Sequence, residues 1–95
     1  MRAKITFHPG AVDHARAARR WYAEVDARLG ADFAQQLEVA LDVIAKQPNA
    51  WPRYSGGAHR YFMHRFPFAV VYRVRKNEVE VVAVAHGKRR PNFWK

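Results

Sequence analysis

Six cations, Arg60, Arg65, Arg73, Lys88, Arg89 and Arg90, are the side chains best equipped for chemistry in this 95-residue chain. Guanidinium groups grip phosphate or carboxylate through paired hydrogen bonds, which a lone ammonium does not do. Tyr54, Tyr61, Phe93 and Trp94 are interleaved with them and could stack on bases or fill pockets on a protein. For Trp94 the competing role is to fold back on the sheet edge and close the core. His86 is the natural titrating group, because an ordinary imidazole changes charge near neutral pH. Its competing role is a strand-end histidine that bonds a backbone carbonyl. His59 and His64 are placed on opposite faces of one strand and so make no local metal pair. His8 and His14, at a helix entry and in its second turn, read as capping or surface groups.

Other chemistries find no footing. The chain has no Gly-rich phosphate loop, no Ser-His-Asp arrangement in a recognisable turn and no carboxylates paired for hydrolysis. Glu24, Asp26, Asp32, Glu38 and Asp42 read as solvated helix charges. With no cysteine there is no disulfide, thiolate nucleophile or cysteine-based zinc site, a composition that suits the cytoplasm. Neither a metal nor a cofactor is expected.

Length sets the frame for these residues. Ninety-five residues make one domain, 1–95, with a single two-layer core. Hydrophobic content of 49% with 14% aromatic residues calls for a packed fold. No apolar run approaches the roughly 18 residues that span a bilayer, so no membrane association is expected. Lys and Arg number 17 against 8 Asp and Glu, a formal charge of +9. Such a field favours nucleic acid, an acidic protein or an anionic surface. The excess is concentrated in residues 53–65 and 86–95.

The elements that must position these groups follow from periodicity. Residues 2–7 alternate polar and apolar as a first strand. His8-Pro9 ends it, and Pro9 suits the first turn of a helix. Val12, Ala15, Ala18, Tyr22, Val25 and Leu29 form that helix's buried stripe, and Gly30 is expected to break it. Asp32 then offers a cap for a second helix lined by Phe33, Leu37, Ala40, Leu41 and Ile44, closed at Gln47-Pro48. Residues 48–57 read as loop. Strands are expected over 59–65, 68–74 and 79–86, with Lys76-Asn77 as a two-residue turn. The last strand is apolar on both faces and should be central. The expected fold is α+β: an antiparallel two-helix hairpin on a small, mainly antiparallel sheet, in the order β-α-α-β-β-β.

Along its whole length the chain resembles the RelE/ParE toxin superfamily of type II toxin–antitoxin systems, most closely the ParE-like plasmid-stabilisation branch. The matching stretches are His8-Pro9-Gly10-Ala11, Arg20-Trp21-Tyr22, Leu29 to Phe33, Phe66-Pro67-Phe68, Val71 to Val74, Ala83 to His86 and Arg89 to Trp94. Each is weak alone; in this order and spacing they are specific. The resemblance implies a basic toxin neutralised by a cognate antitoxin, in a hetero-oligomer with it.

Mechanism divides the superfamily. ParE-like members poison DNA gyrase, which implies target contacts through Arg60, Arg65, Arg73, Lys88, Arg89, Arg90 and Trp94. RelE-like members cut mRNA on the ribosome, for which His86, His64, Arg60 and Arg89 would supply acid–base groups and charge. Those ribonucleases carry an arginine three residues before the tyrosine of the middle strand, a position held here by Ala69. The ParE-like reading is therefore preferred, with the ribosome-dependent ribonuclease and a non-toxic nucleic-acid-binding domain as alternatives. An acidic amphipathic antitoxin tail is expected against helix 1 and the sheet edge, at Arg16, Arg19, Arg20, Tyr61 and Arg73.

Overall fold

A computed structural model describes residues 2–87. The first strand, β1 (Lys4–Phe7), leads through His8 into helix α1 (Pro9–Val25). His8 is extended and its Nδ1 accepts a hydrogen bond from Gly10 N at 3.0 Å, while Pro9 occupies the first turn where no donor is needed. The expected start of this helix is therefore observed, and His8 is its cap.

The expected break at Gly30 is not observed. Helix α2 (Ala27–Lys46) begins three residues before that glycine. The break falls at Asp26, whose backbone is extended (φ −161°). Asp26 serves both helices at once. Its N–H donates to Tyr22 O at 3.0 Å, closing α1, and its carboxylate accepts from Arg28 N at 2.8 Å, opening α2. Leu29 thus belongs to α2, and Val25 is 64% exposed rather than part of the buried stripe. Asp32 lies inside α2 and pairs with Arg65 at 2.8 Å instead of capping. Gly30 is buried where the helices cross. A Cβ there would lie 2.7 Å from Ala23 Cβ and 3.2 Å from Arg19 O, so the glycine permits close approach.

Three further strands complete the sheet: β2 (His59–Phe62), β3 (Phe68–Arg75) and β4 (Glu78–His86). Strand order is β1-β4-β3-β2. β2, β3 and β4 run antiparallel, β1 lies parallel to β4, and β4 is central as expected. The two-residue turn at Lys76-Asn77 is also observed, with Lys76 at φ 54°. β2 is shorter than expected. The chain leaves the ladder after Phe62, and Arg65 adopts a left-handed φ of 71° as it rounds the corner to Phe66-Pro67.

One core lies between the helical hairpin and the near face of the sheet. Phe33, Ile44, Val70, Tyr72, Val79 and Val81 are fully buried in it. At one end four rings meet: Tyr22 is 5.5 Å from Phe33 and 4.9 Å from Phe66, and Phe33 is 5.3 Å from Phe68. The far face of the sheet carries a second cluster, Val71, Val82 and Ala83, packed with Ala58 and Tyr54 from the long loop. A β-bulge divides the two. Val71 pairs with Ala83 and Tyr72 with Val81, leaving Val82 unmatched. Strict alternation would put Val81, Ala83 and Ala85 on one face; instead Val84 joins Val81 in the near core while Val82 and Ala83 both face away.

The crossing at Gly30 yields a test. Gly30→Ala should lower stability by roughly 1–2 kcal/mol, because a new contact against backbone outweighs alanine's better helix propensity. Urea denaturation would measure it; an unchanged or raised midpoint would show that α1 and α2 separate at no cost.

Candidate functional site

Two surfaces of the described residues combine apolar relief with charge. The first lies beside α1. β1 ends at Phe7, opposite Val81, so no described strand covers the outer edge of β4 beyond that point. Helix α1 closes part of the gap: Val84 N–H donates to His14 Nδ1 at 3.3 Å. His14 is therefore half-buried and holds a backbone donor, where a capping or surface role was expected. The bulge at Val82 turns His86 to this near side, where its ring meets Phe68 edge-on at 5.6 Å. Two adjoining hollows result, sharing Phe68 and His86. One, of about 270 Å³, is bounded by His14, Ala17 and Ala18. The other, of about 530 Å³, is bounded by Trp21, Tyr22 and Pro67 and is almost entirely apolar. Trp21 stands 62% exposed on the rim.

Trp21 was missed by sequence reasoning because Tyr22, its neighbour, fits the buried stripe and accounts for the local periodicity. The available signal was its place beside Arg20, next to a stripe it does not share. Arg16 and Arg20, one turn apart on α1, are exposed, but neither lines these hollows. Arg19 is exposed too, but its carbonyl sits at the α2 crossing. Tyr61 and Arg73, grouped with them from the sequence, are elsewhere. Tyr61 is buried on the near face, and Arg73 is exposed on the far face.

The second surface follows the outer edge of β2. Alternation along the strand sends His59 and Tyr61 to the near face and Arg60 and Phe62 to the far one. Arg60 is stacked between two rings, its guanidinium carbon 4.1 Å from the centre of Tyr54 and 4.7 Å from that of Phe62. His59 is buried, stacked on Tyr72 at 5.3 Å, and its Nδ1–H donates to Trp51 O at 2.8 Å. His64 is exposed 6.5 Å from Tyr61. Trp51, Pro52, Arg60, Tyr61, Phe62 and His64 together line a cleft of about 340 Å³.

The remaining sequence candidates do not gather into one patch. Arg65 is committed to Asp32 and lies over the Phe66 ring at 5.4 Å, so it fastens the sheet corner to α2. Arg73 lines a different cleft of about 310 Å³, where Arg73 and Arg75 stand in register with Glu80 and Glu78. That neighbourhood is mixed in charge. Lys88, Arg89, Arg90, Phe93 and Trp94 lie outside the described residues. Of the possible ribonuclease set, Arg60 and His64 share the β2 cleft, while His86 faces α1 on the other side of the sheet.

With this geometry in hand, likeness to known proteins is decisive. The model of the family described as "ParE toxin of type II toxin-antitoxin system, parDE" matches residues 5–91. The chain belongs to the ParE toxin family. A solved chain titled "Chromosomal ParDE TA system from P. aeruginosa" shares the ParE-family fold seen here, with a TM-score of 0.77 at 14% identity, over 88% of this chain and 95% of that one. No curated protein matches the sequence. The family match takes in all four strands and both helices save Lys4, and with them the stretches that carried the resemblance as far as Pro91. Among the described residues of this ParE-family chain, no helix is long and apolar enough to cross a membrane.

The loop that carries Trp51 in this ParE-family fold is anchored by Tyr72. The Tyr72 hydroxyl donates to Pro48 O at 2.7 Å, and burial pushes its phenol up to about 12. A raised folded value means that the fold favours the neutral phenol. Its contribution is complete below the ordinary phenol value of about 10 and is lost as pH climbs from there towards 12. Tyr72→Phe should cost about 1–2 kcal/mol at neutral pH by orphaning Pro48 O. It should also remove a share of the alkaline loss of stability, as read from denaturation midpoints between pH 8 and 11. Identical alkaline slopes in the two proteins would contradict this assignment.

Proposed function

We propose that this chain is a cytoplasmic toxin that binds and poisons DNA gyrase and is neutralised by a cognate antitoxin. The match of the ParE toxin family across residues 5–91 carries the reading. The chemistry of the surfaces supports a toxin that acts by binding. Ala69, where the ribonuclease branch would place an arginine, is 2% exposed and sits opposite Ala85, a site that a methyl group already fills. His86 and Arg60 on opposite sides of the sheet cannot act on one phosphate as they stand. Contacts to gyrase are assigned to the half-buried Arg60, the exposed Arg73 and the terminal segment with Lys88, Arg89, Arg90 and Trp94.

Purified chain added to gyrase and relaxed plasmid should abolish supercoiling and accumulate cleaved DNA. An Arg89→Glu/Arg90→Glu variant should lose the effect. His86→Ala, shown to be folded by circular dichroism, should keep it, because trapping a target requires no proton transfer. Growth arrest by a folded chain that leaves gyrase untouched and yields cut transcripts would replace this reading with the ribonuclease.

The antitoxin is assigned to the groove beside α1. Apolar residues of an amphipathic tail fit the hollow at Trp21, Pro67 and Phe68, with acidic residues towards Arg16 and Arg20. Trp21→Ser removes an exposed ring from the rim, so the fold should survive while antitoxin affinity falls roughly 10- to 100-fold in calorimetric titration. Unchanged affinity would move the antitoxin to another surface.

A further inference from the structure

The cleft at the outer edge of β2 has no part in the antitoxin assignment, and its composition is unlike the rest of the surface. Planar groups dominate it: Trp51, Arg60, Tyr61, Phe62 and His64 converge on one volume of about 340 Å³. Phe62 is 51% exposed, although it could have been buried by a single inward turn of the strand. Its ring lies over Gly87, where a Cβ would approach to 3.2 Å, so a larger residue there would crowd it. Arg60 lies against this ring and the Tyr54 ring, an arrangement that holds the guanidinium in place beside the exposed Phe62.

Charge selects the occupant. No Asp or Glu occurs anywhere between Asp42 and Glu78. That stretch supplies every residue of the cleft and also Lys46, Arg53, Arg60 and Arg65. No residue lining the cleft is acidic, whereas the Arg73 cleft is lined also by Glu78 and Glu80.

We propose that Trp51, Arg60, Phe62 and His64 form a binding site for single-stranded nucleic acid, with a base stacked on the exposed rings and Arg60 against the backbone phosphate. Stacking explains why the Phe62 and His64 rings are left uncovered. A polyanion explains the lack of acids, and a single strand explains the preference for unpaired π faces over a groove-filling helix. The site stands apart from the antitoxin groove, being on the edge strand farthest from β4. It does not depend on the gyrase reading.

Fluorescence anisotropy with a labelled oligothymidylate, and with a duplex of the same length, tests the site without gyrase. The single strand should bind more tightly than the duplex. Phe62→Ala should weaken single-strand binding by roughly tenfold while leaving the net charge at its original value. Arg60→Gln should weaken it further and reduce the salt slope by roughly 0.7, the share of one single-strand phosphate contact. Lys76→Gln, equal in charge change but located in the β3–β4 turn, should produce only the small loss common to any cation. Circular dichroism on each variant establishes that it is folded, and His64→Ala at the exposed rim gives a second reading if Phe62→Ala is not. Equal affinity for strand and duplex, or unchanged binding in folded Phe62→Ala and His64→Ala, would overturn the proposal and leave only the attraction of a +9 protein for any polyanion. Displacement of the oligonucleotide by polyglutamate at equal charge would likewise overturn it, in favour of an acidic protein.

Discussion

The helical hairpin is held to the sheet at one end by four aromatic rings, Tyr22, Phe33, Phe66 and Phe68, and the rest of the architecture depends on that knot. Each ring comes from a different part of the chain: the end of α1, the start of α2, the corner after β2 and the first residue of β3. Their edge-to-face contacts add about 0.5–1.5 kcal/mol per pair beyond the area they bury. Two smaller devices keep the knot in place. Gly30 lets the helices approach, and the Arg65–Asp32 pair ties the corner to α2. With the ends fixed there, α1 is positioned over β4, and the groove at Trp21 forms between its flank and the sheet.

A single extra residue in β4 then decides what each face of the sheet offers. Without the bulge at Val82, the second half of β4 would show Ala83 and Ala85 to α1 and turn Val84 and His86 outward. With it, Val84 completes the near core and His86 becomes a wall of the groove. The far face keeps Val82 and Ala83, covered partly by Tyr54 of the long loop. Tyr72 through Pro48 O, and His59 through Trp51 O, hold that loop from the near side. The two surfaces therefore rest on one register choice, although they share no residue.

Much of the fold was readable from residue patterns, for identifiable reasons. His8-Pro9 marks a helix start because both residues act locally, through φ and one side-chain bond. The centrality of β4 could be read because a strand covered on both faces loses its alternation. What could not be read depended on tertiary contact. Glycine breaks a helix when it sits at an end and tightens a crossing when it sits in the middle; Gly30 and Asp26 exchange roles only once Ala23 is seen opposite. The bulge is invisible because Val82 and Ala83 are both apolar, so a shift of one residue leaves no mark in the pattern. At the candidate sites, residue types were informative and grouping was not. Arg60 proved to be a half-buried cation stacked on two rings, whereas Arg65 and Arg73 have acidic neighbours that sit 33 residues away in sequence or across a strand ladder.

The parallel pairing of β1 with β4 has a consequence for synthesis. Lys4 is in register with Glu78 and Phe7 with Val81, so β1 must wait for β4 before it has a place in the sheet. On the ribosome the emerging chain can assemble its hairpin of helices and then the β2–β3 ladder, yet both halves lack the strand that joins them. Because β4 lies between β1 and β3, its arrival closes the sheet from both sides in one step. The bank of the α1 groove, the seat of His86 and the far-face cluster all come into being at that moment. A chain that stops short of β4 therefore has neither docking groove nor finished core.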